Sequence, residues 1–365
     1  MEENMDFTEL DSFITRFLSL GVPGCDCIIL KSGKVVFRKQ YGLSDPAKMI
    51  PVNGTERYHI YSCSKPITCV AALQLWEKGL FKLDDQLADY MPEFKEMLVK
   101  TPDGIVPAKN AITIRHLFSM TAGFNYNTAA PSLLKAYDET GGACPTRETM
   151  KYLAQEPLDF EPGTNWRYSL CHDVLAAFTE VISGMTFEKL VEKNIFAPLG
   201  MKNSTFLLPA AENSTVAPLF YNSGRGIIPR PVHGMLQNNY RLGAKYASGG
   251  AGAVSTVDDY SKFLEAWRTD ALIKTETRRM MTTEQVTEAM YPSMWFNNNY
   301  TYGLGVRVPK PGMAVDYGWG GAAGAFLAIE PEAEISLFYA QHVLGTPNAD
   351  MRYDLFNLAL NCMKK

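Results

Sequence analysis

One segment of this 365-residue chain is apolar around almost the whole circumference of the helix that it predicts. It runs from residue 67 to residue 76, and Gly79 ends the pattern. Its apolar residues point in every direction around a helix axis: Val70, Ala71, Ala72, Leu73, Leu75 and Trp76. A helix that is apolar on every side is buried on every side. The segment therefore predicts a helix at the centre of its domain, with the rest of the chain packed around it.

A serine and a lysine lie at the start of this central helix. Ser62 and Lys65 are three residues apart, which puts both side chains on one helical face within hydrogen-bond reach. A buried amine with a lowered pKa can help to remove the proton from a serine nucleophile without any histidine. The alternative is a protonated surface lysine in a first helical turn. A second pair with the same spacing, Ser132 and Lys135, lies in a polar stretch with no apolar helix behind it and is discounted.

Two later segments carry other groups that a serine nucleophile needs. The phenol of Tyr168 can act as a general base if an ammonium lies close to it, although an ordinary packing aromatic is the alternative. The glycines of residues 318–324 precede an apolar strand. They let a substrate approach the backbone and leave N–H groups free for an oxyanion, with a plain turn as the alternative.

The composition excludes several classes of function. With 46% apolar and 20% charged residues the chain is an ordinary globular protein, and a net charge of -4 gives no reason to expect nucleic acid or membrane partners. Seven irregularly spaced cysteines favour a reducing compartment and form no zinc pattern. The N-terminus is acidic and no apolar run is long enough to span a membrane, so we expect a cytoplasmic protein. We also expect no metal and no cofactor.

The order of the patterns predicts the architecture. Helices are expected at residues 7–20, 114–120, 174–182, 187–196 and 350–362, and loops dominate residues 125–146 and 204–242. A hairpin joins strands 25–30 and 35–41, and further strands are expected at 302–308, 325–329 and 335–340. We predict an α/β (α+β) fold, in which a mainly antiparallel sheet is flanked by helices and joined to a helical subdomain. The whole chain, 1–365, would be one catalytic domain: an α/β subdomain at about 7–60 plus 245–365, a helical subdomain at about 61–244, and a cleft between them.

Several motifs, in one order, resemble a known family. They are Ser62-x-x-Lys65, the segment 112–123, Pro162-Gly163 with Tyr168-Ser169, Pro198-Leu199-Gly200-Met201, Ser248-Gly249-Gly250-Ala251-Gly252 and Trp319-Gly320-Gly321. Together they resemble the serine β-lactamase and DD-peptidase superfamily, close to the class C β-lactamases. The tryptophan-glycine-glycine motif is most similar to that of the family VIII carboxylesterases. The resemblance implies a β-lactamase-like fold and a serine hydrolase that acts through an acyl-enzyme.

The resemblance also implies a role for each matching residue. Ser62 would be the acylated nucleophile, and Lys65 and Tyr168 would handle its proton. The backbone N–H groups of Ser62 and Ala322 would form the oxyanion hole. The substrate would lie against the positions of these residues: Leu170, Trp319, Gly320 and Gly321.

Two departures from the family pattern bear on the substrate. Leu170 stands where the family usually has an asparagine, and Trp319 stands where it usually has a lysine. A leucine cannot hydrogen-bond a substrate amide, and a tryptophan cannot anchor a carboxylate by charge. Both changes favour a small or neutral acyl ester as the small-molecule substrate, with neither nucleic acid nor membrane as a partner.

Two other functions stay open at the level of sequence. One is a peptidase or amidase that acts on D-amino-acid or N-acyl substrates, with weak β-lactamase activity at most. The other is a catalytically idle binding or assembly module. An α/β-hydrolase is disfavoured because the chain has no Gly-x-Ser-x-Gly segment. The five histidines show no metal spacing: His59, His116, His172, His233 and His342.

Overall fold

The computed structural model describes residues 5–229, 242–296 and 298–363. His233 and part of the expected loop at 204–242 lie outside these residues. The helices are α1 (Thr8–Ser19), α2 (Ser64–Glu77), α3 (Ile114–Ser119), α4 (Pro131–Glu139), α5 (Thr146–Leu153), α6 (Cys171–Ser183), α7 (Phe187–Val191), α8 (Ala197–Leu199), α9 (Val257–Arg268), α10 (Thr275–Met281) and α11 (Arg352–Cys362). Within the described ranges, no helix has both the length and the apolar character to cross a membrane.

The strands form one large sheet and three small ones. They are β1 (Gly24–Lys31), β2 (Lys34–Asp45), β3 (Ile50–Pro51), β4 (Tyr58–His59), β5 (Leu98–Thr101), β6 (Gly104–Pro107), β7 (Phe220–Asn222), β8 (Ile227–Pro229), β9 (Val254–Ser255), β10 (Tyr300–Tyr302), β11 (Arg307–Pro309), β12 (Tyr317–Gly320), β13 (Phe326–Glu330), β14 (Ile335–Gln341) and β15 (Val343–Leu344). The large sheet has the order β10-β11-β12-β13-β14-β1-β2-β3, and its neighbouring strands are antiparallel.

The large sheet joins the two ends of the chain. Strand β1 pairs with the whole of β14, from Cys25 opposite Gln341 to Lys31 opposite Ile335. Alternate residues of β1 face opposite sides, as in any strand. Cys27 belongs to the core cluster under α1 and α11, whereas Ile28 belongs to the main core that contains α2 and α9. The sheet is therefore flanked by helices on both faces, which confirms the predicted fold class.

Helix α2 is as buried as its composition requires. Every residue from Ser64 to Leu73 is buried, and the side chains of Ile67, Val70 and Leu73 are fully inaccessible to solvent. The helix contacts α6 and α7 and belongs to the main core. The prediction of a central helix is confirmed, and Lys65 is carried into the interior with it.

Two segments differ from the sequence-based expectation. Residues 302–308 form the ends of two strands and not one, because Gly303 and Gly305 (φ +93°) make a turn closed by a bond from the Gly303 N–H to the Val306 carbonyl at 2.8 Å. Residues 125–146 are not all loop, because α4 lies within them with Pro131 at its start and Leu133 buried.

Helix α4 holds the second serine–lysine pair, but only Ser132, Leu133 and Ala136 of this helix are buried, so no buried helix lies behind the pair, as expected. Its two members do not form a site, because they lie in different environments. The Lys135 amine is exposed and 3.8 Å from the Glu139 carboxylate, whereas the Ser132 side chain is buried.

Candidate active site

Ser62 lies at a constrained turn of the backbone. It is the middle residue of a single 3₁₀ turn, Tyr61–Cys63, that runs directly into α2. The residue before it, Tyr61, has φ +47°, a conformation that non-glycine residues rarely adopt. Such strain persists only where the surrounding structure imposes it, and it is common at functional sites. The partly exposed Ser62 side chain lines a cavity of about 460 Å³.

The Lys65 amine is fully buried next to this serine. Its Nζ donates to Ser62 Oγ at 3.3 Å, to the Gly250 carbonyl at 2.6 Å and to Tyr126 Oη at 3.4 Å. Burial lowers the pKa of Lys65 to about 7, against the opposing effect of the nearby Asp173 carboxylate. The amine therefore has a large unprotonated fraction near neutral pH, which is the state that can accept a proton from a serine.

Tyr168 lies against the same amine. The centre of its ring is 4.4 Å from Lys65 Nζ, and the ring stacks with those of Tyr126 and Trp319 at centroid distances of 5.4 and 5.5 Å. Its phenol oxygen accepts a hydrogen bond from Trp319 Nε1 at 3.2 Å. Residues that are far apart in sequence are thus brought together around one hydroxyl.

The two residues whose N–H groups are predicted to bind an oxyanion, Ser62 and Ala322, line the same cavity. Within the described ranges, neither the Ser62 nor the Ala322 backbone N–H donates to another backbone carbonyl. The two segments that carry them are in close contact, because a β-carbon built on Gly321 would lie 2.4 Å from the Ile60 carbonyl oxygen. Only glycine allows this close approach of the two backbone segments.

The cavity includes most of the predicted substrate positions. Trp319, Gly320 and Gly321 line it, whereas Leu170 does not. The Leu170 side chain is 1% exposed in the main core, and its N–H donates to the Asn125 carbonyl at 3.1 Å. The remaining side chains of the wall are mostly aromatic or basic: Tyr126, Trp295, Phe296, Arg307, Phe326, Arg352 and Tyr353.

Sequence reasoning missed a buried acid behind Lys65. Asp173 Oδ1 accepts bonds from Tyr246 Oη at 2.9 Å and Ser248 Oγ at 2.6 Å. Asp173 Oδ2 lies next to Gly250, and the Gly250 carbonyl accepts a hydrogen bond from Lys65 Nζ. The adjacent His172 takes no part, because its Nε2 lies 3.2 Å from the Phe118 carbonyl and burial lowers its pKa to about 3.

Tyr126 was also missed, because it lies in a segment that reads as loop and follows no recognised spacing. Its hydroxyl nevertheless lies within hydrogen-bond distance of the Lys65 amine and its ring lines the cavity. Among the described residues no three histidine, cysteine or acidic side chains are grouped so that they could hold a metal ion.

The chain is similar in sequence to known proteins. A model of the beta-lactamase family matches residues 10–360. Esterase EstB of Burkholderia gladioli is 31% identical over 276 residues, which cover 70% of this chain and 68% of the esterase. A putative D-alanyl-D-alanine carboxypeptidase of Escherichia coli K12 is 25% identical over 376 residues, covering 94% of this chain and 83% of that protein.

Solved structures share the fold. EstCE1, a hydrolase with promiscuous acyltransferase activity, superposes with a TM-score of 0.77 at 23% identity over 98% of this chain and 100% of its own. Unliganded simvastatin synthase LovD from Aspergillus terreus gives a TM-score of 0.78 at 20% identity over 98% of both chains. The family resemblance inferred from the motifs is confirmed. The chain therefore belongs to the beta-lactamase family of serine hydrolases.

Proposed function

We propose that the protein is a carboxylesterase in which Ser62 is acylated by the substrate. The observation that carries the proposal is the fully buried Lys65 amine 3.3 Å from Ser62 Oγ, with a pKa lowered to about 7. A serine hydroxyl is a weak nucleophile unless a base accepts its proton. A neutral Lys65 amine can be that base without a histidine.

Each step of the reaction has a group available for it. Ser62 Oγ attacks the ester carbonyl while its proton passes to the Lys65 amine, beside which the Tyr168 ring lies at 4.4 Å. The oxyanion of the tetrahedral intermediate accepts bonds from the N–H groups of Ser62 and Ala322. The alcohol leaves with the proton. Water then attacks the acyl-enzyme and gives a proton to the same base, and Ser62 Oγ takes a proton back as the carboxylic acid leaves.

An ester is favoured over an amide or a β-lactam by the residues that are present. Trp319 occupies the position from which the family's lysine would anchor a carboxylate, and it donates instead to Tyr168. The cavity wall is rich in aromatic side chains that suit an apolar alcohol or acyl group. The esterase EstB, at 31% identity, supports the same choice.

The test compares substrate classes on the wild type and on Ser62→Ala. We expect turnover of 4-nitrophenyl acetate or butyrate, and much weaker turnover of a penicillin and of a D-alanyl anilide. Ser62→Ala should lower ester turnover by about 10³-fold or more, since loss of a nucleophile leaves only the binding and oxyanion contributions. A preference for the anilide or the penicillin would overturn the proposal of an esterase, and full ester activity in Ser62→Ala would overturn this nucleophile.

A further inference from the structure

Arg352 is a cavity residue whose hydrogen bonds to described residues all go to backbone carbonyls, two of which belong to the turn that contains Ala322. It is the first residue of α11 and lines the same cavity as Ser62. Its Nη1 donates to the Gly321 carbonyl at 3.2 Å and to the Ala325 carbonyl at 3.0 Å, and its Nε donates to the Ala349 carbonyl at 3.2 Å. Both of the Nη1 acceptors belong to the turn that contains Ala322.

This position is an unfavourable one for a guanidinium. Within the described residues no carboxylate lies within ion-pair distance of it, unlike Arg307, which has the Asp316 carboxylate at 2.6 Å. Burial moves the pKa of Arg352 below its usual value. The first turn of a helix also disfavours a cation, because the helix dipole is positive there. Neither an ion pair with a described residue nor the helix dipole therefore accounts for a positive charge at this position.

The Gly321 carbonyl and the Ala322 N–H are the two ends of one peptide group. The group is conjugated, so a cation that draws electron density toward the carbonyl oxygen leaves the N–H more positive. Hydrogen bonds in such chains strengthen one another, and bonds to an ionised group are about twice as strong as neutral ones. A stronger N–H donor acts most where negative charge develops, which is the oxyanion of the tetrahedral intermediate.

The same bonds also fix the shape of the turn. The Gly321 N–H donates to the Ala325 carbonyl at 2.7 Å, and the Gly324 N–H donates to the Gly321 carbonyl at 3.0 Å. Arg352 therefore binds two carbonyls that already close this turn on each other. We propose that Arg352 is a positioning residue of the oxyanion hole, which holds and polarises the peptide group that presents the Ala322 N–H. This inference rests on the proposed function, because it assigns the Ala322 N–H to the oxyanion.

The experiment changes the substrate atom that becomes the oxyanion. Wild type, Arg352→Gln and Arg352→Lys are compared on 4-nitrophenyl acetate and on the matching thionoester, in which sulfur replaces the carbonyl oxygen and accepts hydrogen bonds poorly. Arg352→Gln should lower kcat on the ester by about tenfold, less than the 10²–10³-fold loss seen when an oxyanion donor is removed. KM should change little. The ester-to-thionoester ratio should fall with kcat, and Arg352→Lys should give an intermediate ratio.

The matched control is Arg57→Gln. Arg57 also donates to a backbone carbonyl, that of Asn203 at 3.2 Å, but it does not line the cavity. We expect the control to leave both kcat and the ratio unchanged. If Arg352→Gln does not fold, Arg352→Lys decides the question, since its shorter ammonium cannot reproduce both bonds of the guanidinium and an unchanged ratio would overturn the proposal.

Three results would contradict the role of Arg352. One is an unchanged kcat in Arg352→Gln. Another is a lower kcat with an unchanged ester-to-thionoester ratio, which would mean only general damage to the fold. The third is a loss confined to 4-nitrophenyl hydrogen adipate and absent for its neutral methyl ester, which would make Arg352 an anchor for a substrate carboxylate. Absence of turnover and of fluorophosphonate labelling in the wild type would instead overturn the proposed function, and this inference with it.

Discussion

Lys65 is the residue whose environment decides whether the site can work. A surface lysine is protonated at neutral pH and cannot accept a proton, whereas a buried one can. Lys65 is inaccessible to solvent and its pKa is lowered to about 7. Burial raises the pKa of Cys63 and of Cys171 to about 12. These thiols therefore stay protonated at neutral pH and cannot accept the serine proton.

The first prediction concerns the pH dependence of the proposed reaction. The reactive form of Lys65 is the neutral amine, which is populated above its pKa, so kcat/KM for a neutral ester should rise with pH through about pH 7 and then level off. The measurement is a kcat/KM profile from pH 5 to pH 9, with the stability of the protein checked at each pH. An activity that is constant over this range, or that falls as pH rises through 7, would contradict the assignment.

The second prediction concerns the carboxylate behind Lys65. The negative charge of Asp173 raises the pKa of Lys65, so Asp173→Asn should lower it and move the acidic limb of the profile down by about one pH unit. The asparagine oxygen can still accept from Tyr246 and Ser248. As a control, Asp259→Asn changes a different buried carboxylate, one paired with Lys262 at 2.8 Å, and should not move the limb. A limb that stays in place or moves to higher pH in Asp173→Asn would refute the role of this charge.

Single residues were predictable from the sequence where a spacing or a motif marked them. Ser62, Lys65 and Tyr168 were chosen in this way, and the structure brings them together, although their roles stay predictions until they are tested. Tyr126 and Asp173 reach the site only through contacts between distant segments. No local pattern distinguishes such residues from ordinary packing residues, so the sequence could not identify them.

At the scale of elements, the site depends on a close approach between Gly321, just after strand β12, and the turn before α2. A β-carbon on Gly321 would lie 2.4 Å from the Ile60 carbonyl oxygen, a backbone atom that cannot move without displacing Ser62. Gly321→Ala should therefore push the two oxyanion donors apart. We expect kcat/KM to fall by about 10²-fold, the usual consequence of a misplacement of about 1 Å.

A glycine elsewhere in the chain provides the control for this third prediction. A β-carbon on Gly200 would meet nothing within 4 Å, although its φ of +64° makes any side chain mildly unfavourable. Gly200→Ala should cost about 1 kcal/mol in the free energy of unfolding and leave kcat/KM unchanged. Wild-type activity in Gly321→Ala would mean that the contact between Gly321 and Ile60 does not control the geometry of the site.

The elements themselves were predicted well where a pattern was long. The buried helix α2 and the hairpin of β1 and β2 follow directly from runs of apolar residues. The division of residues 302–308 into β10 and β11 was not foreseen, because it depends on the turn that Gly303 and Gly305 make inside an apolar run. Helix α4 was not foreseen either, since its few buried residues are spread through a polar segment.

At the scale of the whole molecule, the site is assembled from segments that lie far apart in sequence. The proposed nucleophile comes from residue 62, the phenol beside it from residue 168 and the proposed second oxyanion donor from residue 322. The large sheet makes this possible, because β1 near the N-terminus pairs with β14 near the C-terminus. Such pairings cannot be derived from local patterns, so the fold followed from the ordered motifs of a family and not from periodicity alone. The division into two subdomains stays a prediction.

The central claim is that Ser62 becomes covalently acylated, and the most direct measurement is the mass and position of the adduct. Wild type, Ser62→Ala and Ser132→Ala are treated with a fluorophosphonate or with an ester whose acyl group leaves the enzyme slowly. The adducts are then analysed by intact mass and by peptide mapping. Ser132 begins the second serine–lysine pair and serves as the matched control. We predict one adduct per chain, on Ser62, which is absent from Ser62→Ala and unchanged in Ser132→Ala. An adduct that persists in Ser62→Ala, or that maps to Ser132, would contradict the account.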